Sequence, residues 1–333
     1  MQLMKTLTKA GLILILFLAF TITLSAQKKS TEFPKLTGPY LGQKTPGDIP
    51  ELFAPGIVST GYFEHSALVF TPDIKEMYWS IFINENGKTV SRPAYYMKMV
   101  DGVWNRPKIL SFGNKFLYNE WPFISPDGKK LFFAAIDTLQ STNYDIYYVN
   151  RIADDWGEPI KLNESVNSAN YNETSPSVSE NGTIYFSGFF EEAKYKGGIY
   201  YSKLENGTWP LPKLTFFSRT GLTNGDPYIS PDESYIIFNS IRDGGFGGSD
   251  LYICFKQSNG EWGKEIKMGN KINTEAMERF PNVTPDGKYL FFMSTRLIKD
   301  ADANSPGNGN GDIYWVSASI IDDLRKEALK DDK

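Results

Sequence analysis

Short apolar stretches and tight turns alternate along most of the chain. Residues 124–133 show the pattern, because Ile124-Ser-Pro-Asp-Gly128 is followed by two lysines and then by Leu131-Phe-Phe133. Proline and aspartate favour the middle of a turn, and glycine accepts the positive φ that lets the chain reverse. The flanking residues are β-branched, aromatic or otherwise apolar, which favours strands. This stretch therefore predicts a β-hairpin.

The same hairpin recurs five times, and the spacing predicts a repeat protein. Successive turns lie 54, 54, 51 and 54 residues apart. In most units the hairpin is followed by a third strand that opens with Ile-Tyr or Leu-Tyr. A second turn and a tryptophan then mark a fourth strand, so each unit holds four short strands. Such a unit cannot bury its faces alone, and radial stacking of copies gives a β-propeller. The five turns are Thr71-Pro-Asp73, Ser125-Pro-Asp127, Ser179-Glu-Asn181, Ser230-Pro-Asp232 and Thr284-Pro-Asp286.

The way in which the ring closes follows from a missing strand. Five hairpins are present, and the first four units each continue to a fourth strand that is marked by a tryptophan. The last unit has no such strand. Pro50-Glu-Leu52, near the start of the chain, resembles the fourth strand Pro107-Lys-Ile-Leu110. We therefore predict an all-β fold, a five-bladed β-propeller of four-stranded antiparallel blades whose ring is closed by an N-terminal strand. A sixth blade built from residues 28–60 is the alternative.

The two ends of the chain differ in pattern from the repeats. Lys5 and Lys9 precede the apolar stretch Ala10–Leu24, and Ser25-Ala26 follows. This pattern is typical of a secretory signal peptide, since the stretch is shorter than the roughly 20 residues of a membrane span. An uncleaved anchor is the alternative. The predicted organisation is a signal peptide at 1–26, an extended segment at 27–49, the propeller at 50–317, and a short amphipathic helix with its tail at 318–333.

Charge and cysteine content narrow the function classes. The formal net charge is −4, and the two lysines of the first 26 residues make the remainder more acidic. An acidic chain lacks the basic surface of a nucleic-acid-binding protein. The single cysteine, Cys254, lies in an apolar strand pattern and has no partner for an internal disulfide. We expect a periplasmic or secreted protein with no membrane span after signal cleavage.

Several motifs resemble those of one protein family. Tyr40-Leu-Gly-Gln43, the five turns, Phe238-Asn-Ser-Ile-Arg242 and Ser249-Asp-Leu-Tyr252 look like those of the TolB-like, WD40-like propeller family. The resemblance extends from about Tyr40 to Val316. It implies a propeller exported in Gram-negative bacteria that acts as a binding platform in the periplasm or at the envelope.

Candidate ligand-binding residues gather on one predicted face. An acidic residue stands before each first strand, and the first strands of a propeller line its central channel. These acids either ring the channel mouth or bond the backbone of nearby loops. Their distances from the following prolines differ, and a shift of one residue reverses the side of a strand on which a side chain lies, which favours the loop interpretation. The candidates are Glu64, His65, Glu120, Trp121, Glu173, Asp226, Arg242, Glu278 and Arg296. Arg242 with Asp250, and Arg296 with Asp312, are also placed to pair across a hairpin as a structural latch.

One loop has the spacing of a metal site. Asp300, Asp302 and Asn304 place oxygen atoms at alternate positions, as in calcium-binding loops, but the glycine and the final glutamate of such loops are absent. Calcium at these residues is one interpretation and a flexible Gly/Asn loop is the other. No further cofactor is predicted.

The predicted function is a non-catalytic interaction platform for an envelope protein, a peptide or a glycan, as a monomer or as part of a complex. His65 is the only histidine, which excludes a zinc site built on several histidines. The alternative is a carbohydrate-active enzyme that uses the acidic residues at the channel mouth, since two carboxyl groups suffice for glycoside hydrolysis.

Overall fold

The computed structural model describes residues 32–85, 88–137, 143–188, 197–218 and 223–331. Contacts divide the chain into a unit of residues 1–34 and a unit of residues 35–333. The predicted signal peptide and residues 27–31 of the predicted extended segment lie outside the described residues. The architecture below is that of the second unit.

Antiparallel strands form five small sheets in a propeller-like ring. β1 (Glu51–Leu52) comes first, and sheet 1 contains β2 (Phe63–Glu64), β3 (Val69–Phe70), β4 (Glu76–Glu85), β5 (Lys88–Ser91), β6 (Ala94–Val100), β7 (Val103–Trp104) and β8 (Lys108–Ile109). Sheet 2 contains β9 (Tyr118–Ile124), β10 (Lys130–Ile136), β11 (Asp145–Ile152), β12 (Asp155–Trp156) and β13 (Ile160–Lys161). Sheet 3 contains β14 (Glu173–Val178), β15 (Ile184–Gly188), β16 (Gly198–Ser202) and β17 (Lys213–Leu214). Sheet 4 contains β18 (Thr223–Ile229), β19 (Tyr235–Ile241), β20 (Asp250–Phe255) and β21 (Ile266–Lys267), and sheet 5 contains β22 (Glu278–Val283), β23 (Tyr289–Ser294) and β24 (Asp312–Ser317). Three 3₁₀-helices (Pro39–Gly42, Ser111–Lys115, Phe216–Ser218) and the α-helix α1 (Ser319–Asp331) complete the described elements.

The repeated turn has a chemical reason for its sequence. In sheet 2 the Ser125 hydroxyl donates to Asp127 Oδ1 at 2.7 Å and accepts the backbone N–H of Lys130 at 2.9 Å. Serine or threonine and aspartate thus satisfy the turn from both sides, and proline presets its φ. In sheet 3 Asn181 takes the place of aspartate and accepts from Ser179 at 3.0 Å. The predicted hairpins are confirmed at all five places.

Sheet 5 takes its outer strand from the start of the unit. β1 pairs antiparallel with β24, with Glu51 opposite Trp315 and Leu52 opposite Tyr314. The side chain of Phe53 is 0% exposed, and its ring meets those of Phe291 and Trp315 edge-on at 5.1 and 5.2 Å. The order of this sheet is therefore β1-β24-β23-β22.

A β-bulge interrupts the first strand of four sheets. Each bulge falls at a residue that precedes a proline, and each of these residues has a left-handed φ of 49° to 52°. A bulge turns one side chain away from the regular alternation of a strand. The four residues are Trp121, Ser175, Asp226 and Phe280.

The C-terminal helix packs against the side of sheet 4. Ile321 and Leu324 are buried in the hydrophobic core, and Ile320 and Ala328 pack against it. Arg325 donates to the Ser234 hydroxyl at 3.3 Å. The predicted apolar helix face is thus used for packing. Within the described parts of the chain, no helix combines the length and the apolar character that crossing a membrane requires.

Candidate functional site

One residue from each sheet lines the axis of the ring, and in four sheets a bulge places it there. Four of these residues carry the left-handed φ, and Ala67 holds the same place in sheet 1, so the set repeats with the spacing of the turns. They line a central cavity of about 30 Å³ together with the prolines that follow the bulges. That volume holds about one water molecule, so the axis is narrow at this level. We call Ala67, Trp121, Ser175, Asp226 and Phe280 the central ring.

His65 and Glu120 form a buried pair beside the central ring. His65 Nδ1 lies 3.0 Å from Glu120 Oε1, and Glu120 also accepts from the Tyr144 hydroxyl and lies 3.5 Å from Arg92 Nη1. Burial lowers the pKa of His65, and the hydrogen bond to Glu120 opposes this. The imidazole is thereby held as a neutral donor to the carboxylate. Its ring packs 4.9 Å from that of Phe280.

Asp226 links the first strands of three sheets. Its Oδ1 accepts from the Ser175 hydroxyl at 2.8 Å, and its Oδ2 accepts from Arg279 Nε at 2.7 Å. The guanidinium of Arg279 lies 4.5 Å from the centre of the Phe280 ring. The sequence pointed to Asp226 but missed Ser175, Arg279 and Phe280. Ser175 and Phe280 lie four residues before the turn of their sheet, as Asp226 does, and this spacing is the signal that finds them.

Three of the predicted acids stand where one sheet meets the next. Glu64 accepts the backbone N–H of Thr60 at 3.2 Å and its hydroxyl at 2.5 Å. Glu278 accepts the same two groups of Thr274 at 2.9 and 2.7 Å. These two follow the alternative interpretation, in which the acids bond the nearby loops. Glu173 is fully buried, and burial raises its pKa to about 9, against a lowering contribution from a backbone hydrogen bond.

The predicted arginine–aspartate latch is wrong at both hairpins. Arg242 donates to Ser240 at 2.8 Å and lies 4.0 Å from Glu265, while Asp250 accepts the backbone N–H of Phe246 at 2.7 Å. In the next sheet, Arg296 donates to the carbonyl of Ile272 at 2.7 Å and pairs with Glu278 at 3.3 Å, and Asp312 accepts the N–H of Gly307 at 2.8 Å. Each aspartate bonds the backbone of its own loop, which is nearer than the arginine across the hairpin.

The predicted calcium loop shows no clustered acids. The carbonyl of Asp302 accepts both the N–H and the hydroxyl of Ser305, at 2.9 and 2.8 Å, and Asp300 has a φ of 65°. Among the described residues, no group of three or more His, Cys, Asp or Glu side chains is arranged to hold a metal ion. Calcium at Asp300, Asp302 and Asn304 stays a prediction.

A pocket of about 180 Å³ opens beside Asp226 and Arg279. It lies on the face where the first strands begin, which we call the top face; the five turns lie on the opposite, bottom face. Glycines at 188, 198 and 225 and several hydroxyl groups form much of its wall. Ile241 and Met277 add apolar surface to it. We call it the top pocket.

Exposed apolar side chains extend from the top pocket along connected loops. The N–H of Gly248 bonds the carbonyl of Ala276, and that of Thr295 bonds the carbonyl of Met277, both at 3.0 Å. Asn308 donates to the carbonyl of Gly61 at 3.2 Å, which joins the loop after β23 to the loop before β2. The large apolar residues of these loops are 37% to 71% exposed. We call Tyr62, Ile241, Phe246, Met277, Leu297 and Ile298 the apolar rim.

No protein-family model and no curated protein sequence matches the chain. Among solved structures, the chain is similar to TolB from Acinetobacter baumannii, with 15% identity and a TM-score of 0.44 over 75% of this chain and 56% of that one. It is also similar to xylan β-1,4-xylosidase from Bacillus halodurans C-125, with 14% identity and a TM-score of 0.48 over 79% of this chain and 53% of that one. A third similar structure is α-L-arabinofuranosidase from Lactobacillus brevis, with 13% identity and a TM-score of 0.46 over 79% of this chain and 90% of that one. The chain spans about half the length of the first two proteins, and these likenesses are too distant to bear on function.

Proposed function

We propose that the chain is an exported, non-catalytic five-bladed β-propeller that serves as an interaction platform in the cell envelope. In this proposal the five sheets are its blades, and the pairing of β1 with β24 closes the ring. The signal pattern at residues 1–26 supports export to the periplasm or out of the cell. The ligand is a protein, a peptide or a glycan, and it binds on the top face.

The observation that carries this proposal is the apolar rim. Six large apolar side chains are exposed on loops that hydrogen-bond one another, and a concentration of exposed apolar side chains on one face is typical of an interaction site. Covering it removes apolar area from water, which contributes about 25 cal/mol per Å². Aliphatic side chains form most of the rim, so it favours a protein or peptide partner.

The top pocket adds an anchoring point beside the rim. Its volume of about 180 Å³ has room for one side chain of a partner, and Arg279 offers a charged group at its wall. Interfaces concentrate their binding free energy where an anchor fills such a pocket. The rim and the pocket together form one partner surface spanning sheets 3, 4, 5 and 1.

The competing hypothesis is a carbohydrate-active enzyme. Glycoside hydrolysis needs two carboxyl groups that face the bound sugar. The five candidate acids are only 0% to 4% exposed, and the central cavity holds about one water molecule. Both observations favour the platform. Incubation of the wild-type protein with a panel of polysaccharides tests the enzyme directly, and release of reducing sugar would establish that function instead.

Crosslinking of the full chain in its native envelope, followed by mass spectrometry, tests the platform. We expect one partner to dominate the captured proteins, and we expect Met277→Asp or Leu297→Asp to lower its capture at least tenfold. Ile152→Asp and Leu204→Asp are the matched controls, because these exposed apolar residues lie on the bottom face. Both control variants should keep the partner.

Two outcomes contradict the proposal. If the wild-type protein captures no partner, the platform itself fails. If the Ile152 and Leu204 variants lose the partner while the rim variants keep it, the binding face has been assigned to the wrong side of the ring.

A further inference from the structure

One hydrogen bond recurs between neighbouring sheets and places two acids side by side. The N–H of Glu64 bonds the carbonyl of Gly311 at 2.9 Å, that of Glu173 bonds Tyr144 at 3.0 Å, and that of Glu278 bonds Ser249 at 2.8 Å. In each case the residue after the acceptor is an aspartate that opens the third strand of the preceding sheet. The three pairs are Asp312 with Glu64, Asp145 with Glu173, and Asp250 with Glu278, and all six residues are buried.

The remaining two sheet boundaries have no acid at these positions. The first strands of sheets 2 and 4 carry Asn119 and Asn224 there, and the preceding third strands open with Ala94 and Gly198. Asn119 accepts the backbone N–H of Ala94 at 2.9 Å. A glutamate in one sheet therefore accompanies an aspartate in the other, and an asparagine accompanies a small residue. This pairing within one chain indicates that the two positions act together.

Two of the three acid pairs have a cation supplied by the chain. Lys161 Nζ lies 2.7 Å from Asp145 Oδ2, and Arg296 Nη2 lies 3.3 Å from Glu278 Oε1. Among the described residues, no lysine, arginine or histidine forms an ion pair with Glu64 or Asp312. Of the three acid pairs, the one between sheets 5 and 1 thus has no counter-charge from the residues that the structure describes.

Within the described part of the chain, both acids of that pair also carry a buried oxygen with no hydrogen-bond partner. These atoms are Glu64 Oε2 and Asp312 Oδ1, on residues that are 0% and 1% exposed. Glu173 and Asp250 have such oxygens too, but there a lysine or an arginine pairs with the neighbouring acid, Asp145 or Glu278. Burying an uncompensated carboxylate costs several kcal/mol. A proton or a cation from solution can offset that cost.

We propose that a calcium ion binds between Glu64 and Asp312 and joins sheet 5 to sheet 1. Carboxylate oxygens are the ligands that Ca²⁺ prefers, and water and neutral oxygens complete its shell in proteins. With two carboxylates, the expected dissociation constant is on the order of 10⁻⁴ to 10⁻³ M, the range of extracellular calcium modules. The ion takes the place that Lys161 and Arg296 fill at the other two boundaries.

Thermal unfolding of the full chain, with and without calcium at constant ionic strength, tests this proposal. At about ten times the dissociation constant, we expect the melting temperature to rise by about 2–4 °C. Glu64→Gln and Asp312→Asn should each abolish the rise, and isothermal titration of the wild-type protein should find one site. Asp302→Asn, on the exposed loop, is the control and should keep both the rise and the site.

Three results would overturn the assignment. The first is a wild-type protein that binds no calcium at concentrations up to 10 times the upper expected dissociation constant. If lower pH stabilises that protein, the acid pair holds a proton instead of the ion. The second is a calcium-dependent rise that persists in folded Glu64→Gln and Asp312→Asn. The third is loss of binding in Asp302→Asn, which would place the ion in the loop; this variant decides the matter even if the buried variants do not fold.

Discussion

Buried carboxyl groups in this chain differ in the charged and hydrogen-bonding groups that surround them. Glu120 has His65, Arg92 and Tyr144 around it, and Asp226 has Arg279. Glu173 has no side-chain partner among the described residues. A buried carboxyl group without a side-chain partner, like that of Glu173, is more stable in its protonated form.

Glu173→Gln tests this difference through the pH dependence of stability. In the folded chain, burial and the charge of Asp145 raise the pKa of Glu173 to about 9, and Lys161 opposes them. The unfolded value is about 4.3, so between these values the folded chain keeps a proton that the unfolded chain releases. Stability therefore falls as the pH rises, by up to about 1.4 kcal/mol per pH unit for this group.

We expect Glu173→Gln to flatten this slope between pH 5 and 8.5 and to be more stable than wild type at pH 8. Urea denaturation at several pH values measures both effects. The exposed Glu205→Gln is the control and should follow the wild-type slope. Equal slopes for all three proteins would show that Glu173 ionises normally in the folded state.

At the scale of the element, the turn between the third and fourth strands is built alike in several sheets. Ala153 and Asn206 occupy the first turn position in sheets 2 and 3, and each has a φ of 50°. Asparagine tolerates this left-handed conformation, whereas for alanine it costs roughly 1 kcal/mol. Both side chains are exposed, so a substitution at either position mainly changes the conformational energy of the backbone.

A reciprocal exchange tests the turn. Ala153→Asn should raise the free energy of unfolding by about 0.5–1 kcal/mol, and Asn206→Ala should lower it by a similar amount. Urea denaturation of the two variants beside wild type gives both numbers. Shifts of the same sign, or none in either variant, would mean that φ is not what these residues contribute.

The sequence predicts the hairpins well because their information is local. Ser125, Pro126 and Asp127 determine one turn through bonds within six residues, and the same letters recur at fixed spacing. The acids were harder to interpret for a geometric reason. Glu64, Glu120 and Asp226 lie seven, five and four residues before the turn of their sheet, so they occupy different places on their strands.

The rest of the candidate site depends on contacts between sheets. The bulges at Ser175 and Phe280 bring these residues to the axis, and a bulge is not visible in the alternation of the strand. The exposure of Leu297 and Met277 is likewise set by how loops of different sheets meet. That exposure has no signature within one repeat, which is why the apolar rim was not predicted.

At the scale of the whole molecule, the segment at residues 51–53 ties the first part of the second unit to its last sheet. Phe53→Ala removes a fully buried ring from between Phe291 and Trp315 and should cost about 3–5 kcal/mol of stability. Thermal or urea unfolding measures the loss. Phe246→Ala, on an exposed ring, is the matched control and should change stability by less than about 1 kcal/mol.

If Phe53→Ala unfolds like the control, the pairing of β1 with β24 contributes little to the stability of the ring. If its loss is large and the transition stays cooperative, all five sheets unfold together. A large loss with a split transition would show that sheet 5 opens by itself.

The pairing of Glu51 with Trp315 also has a consequence for biosynthesis. Glu51 has to wait for a residue made more than two hundred positions later, so the edge of its strand stays uncovered until β24 has emerged. A chain cut short before β24 would expose that edge permanently and give chaperones and proteases a means of recognising incomplete copies.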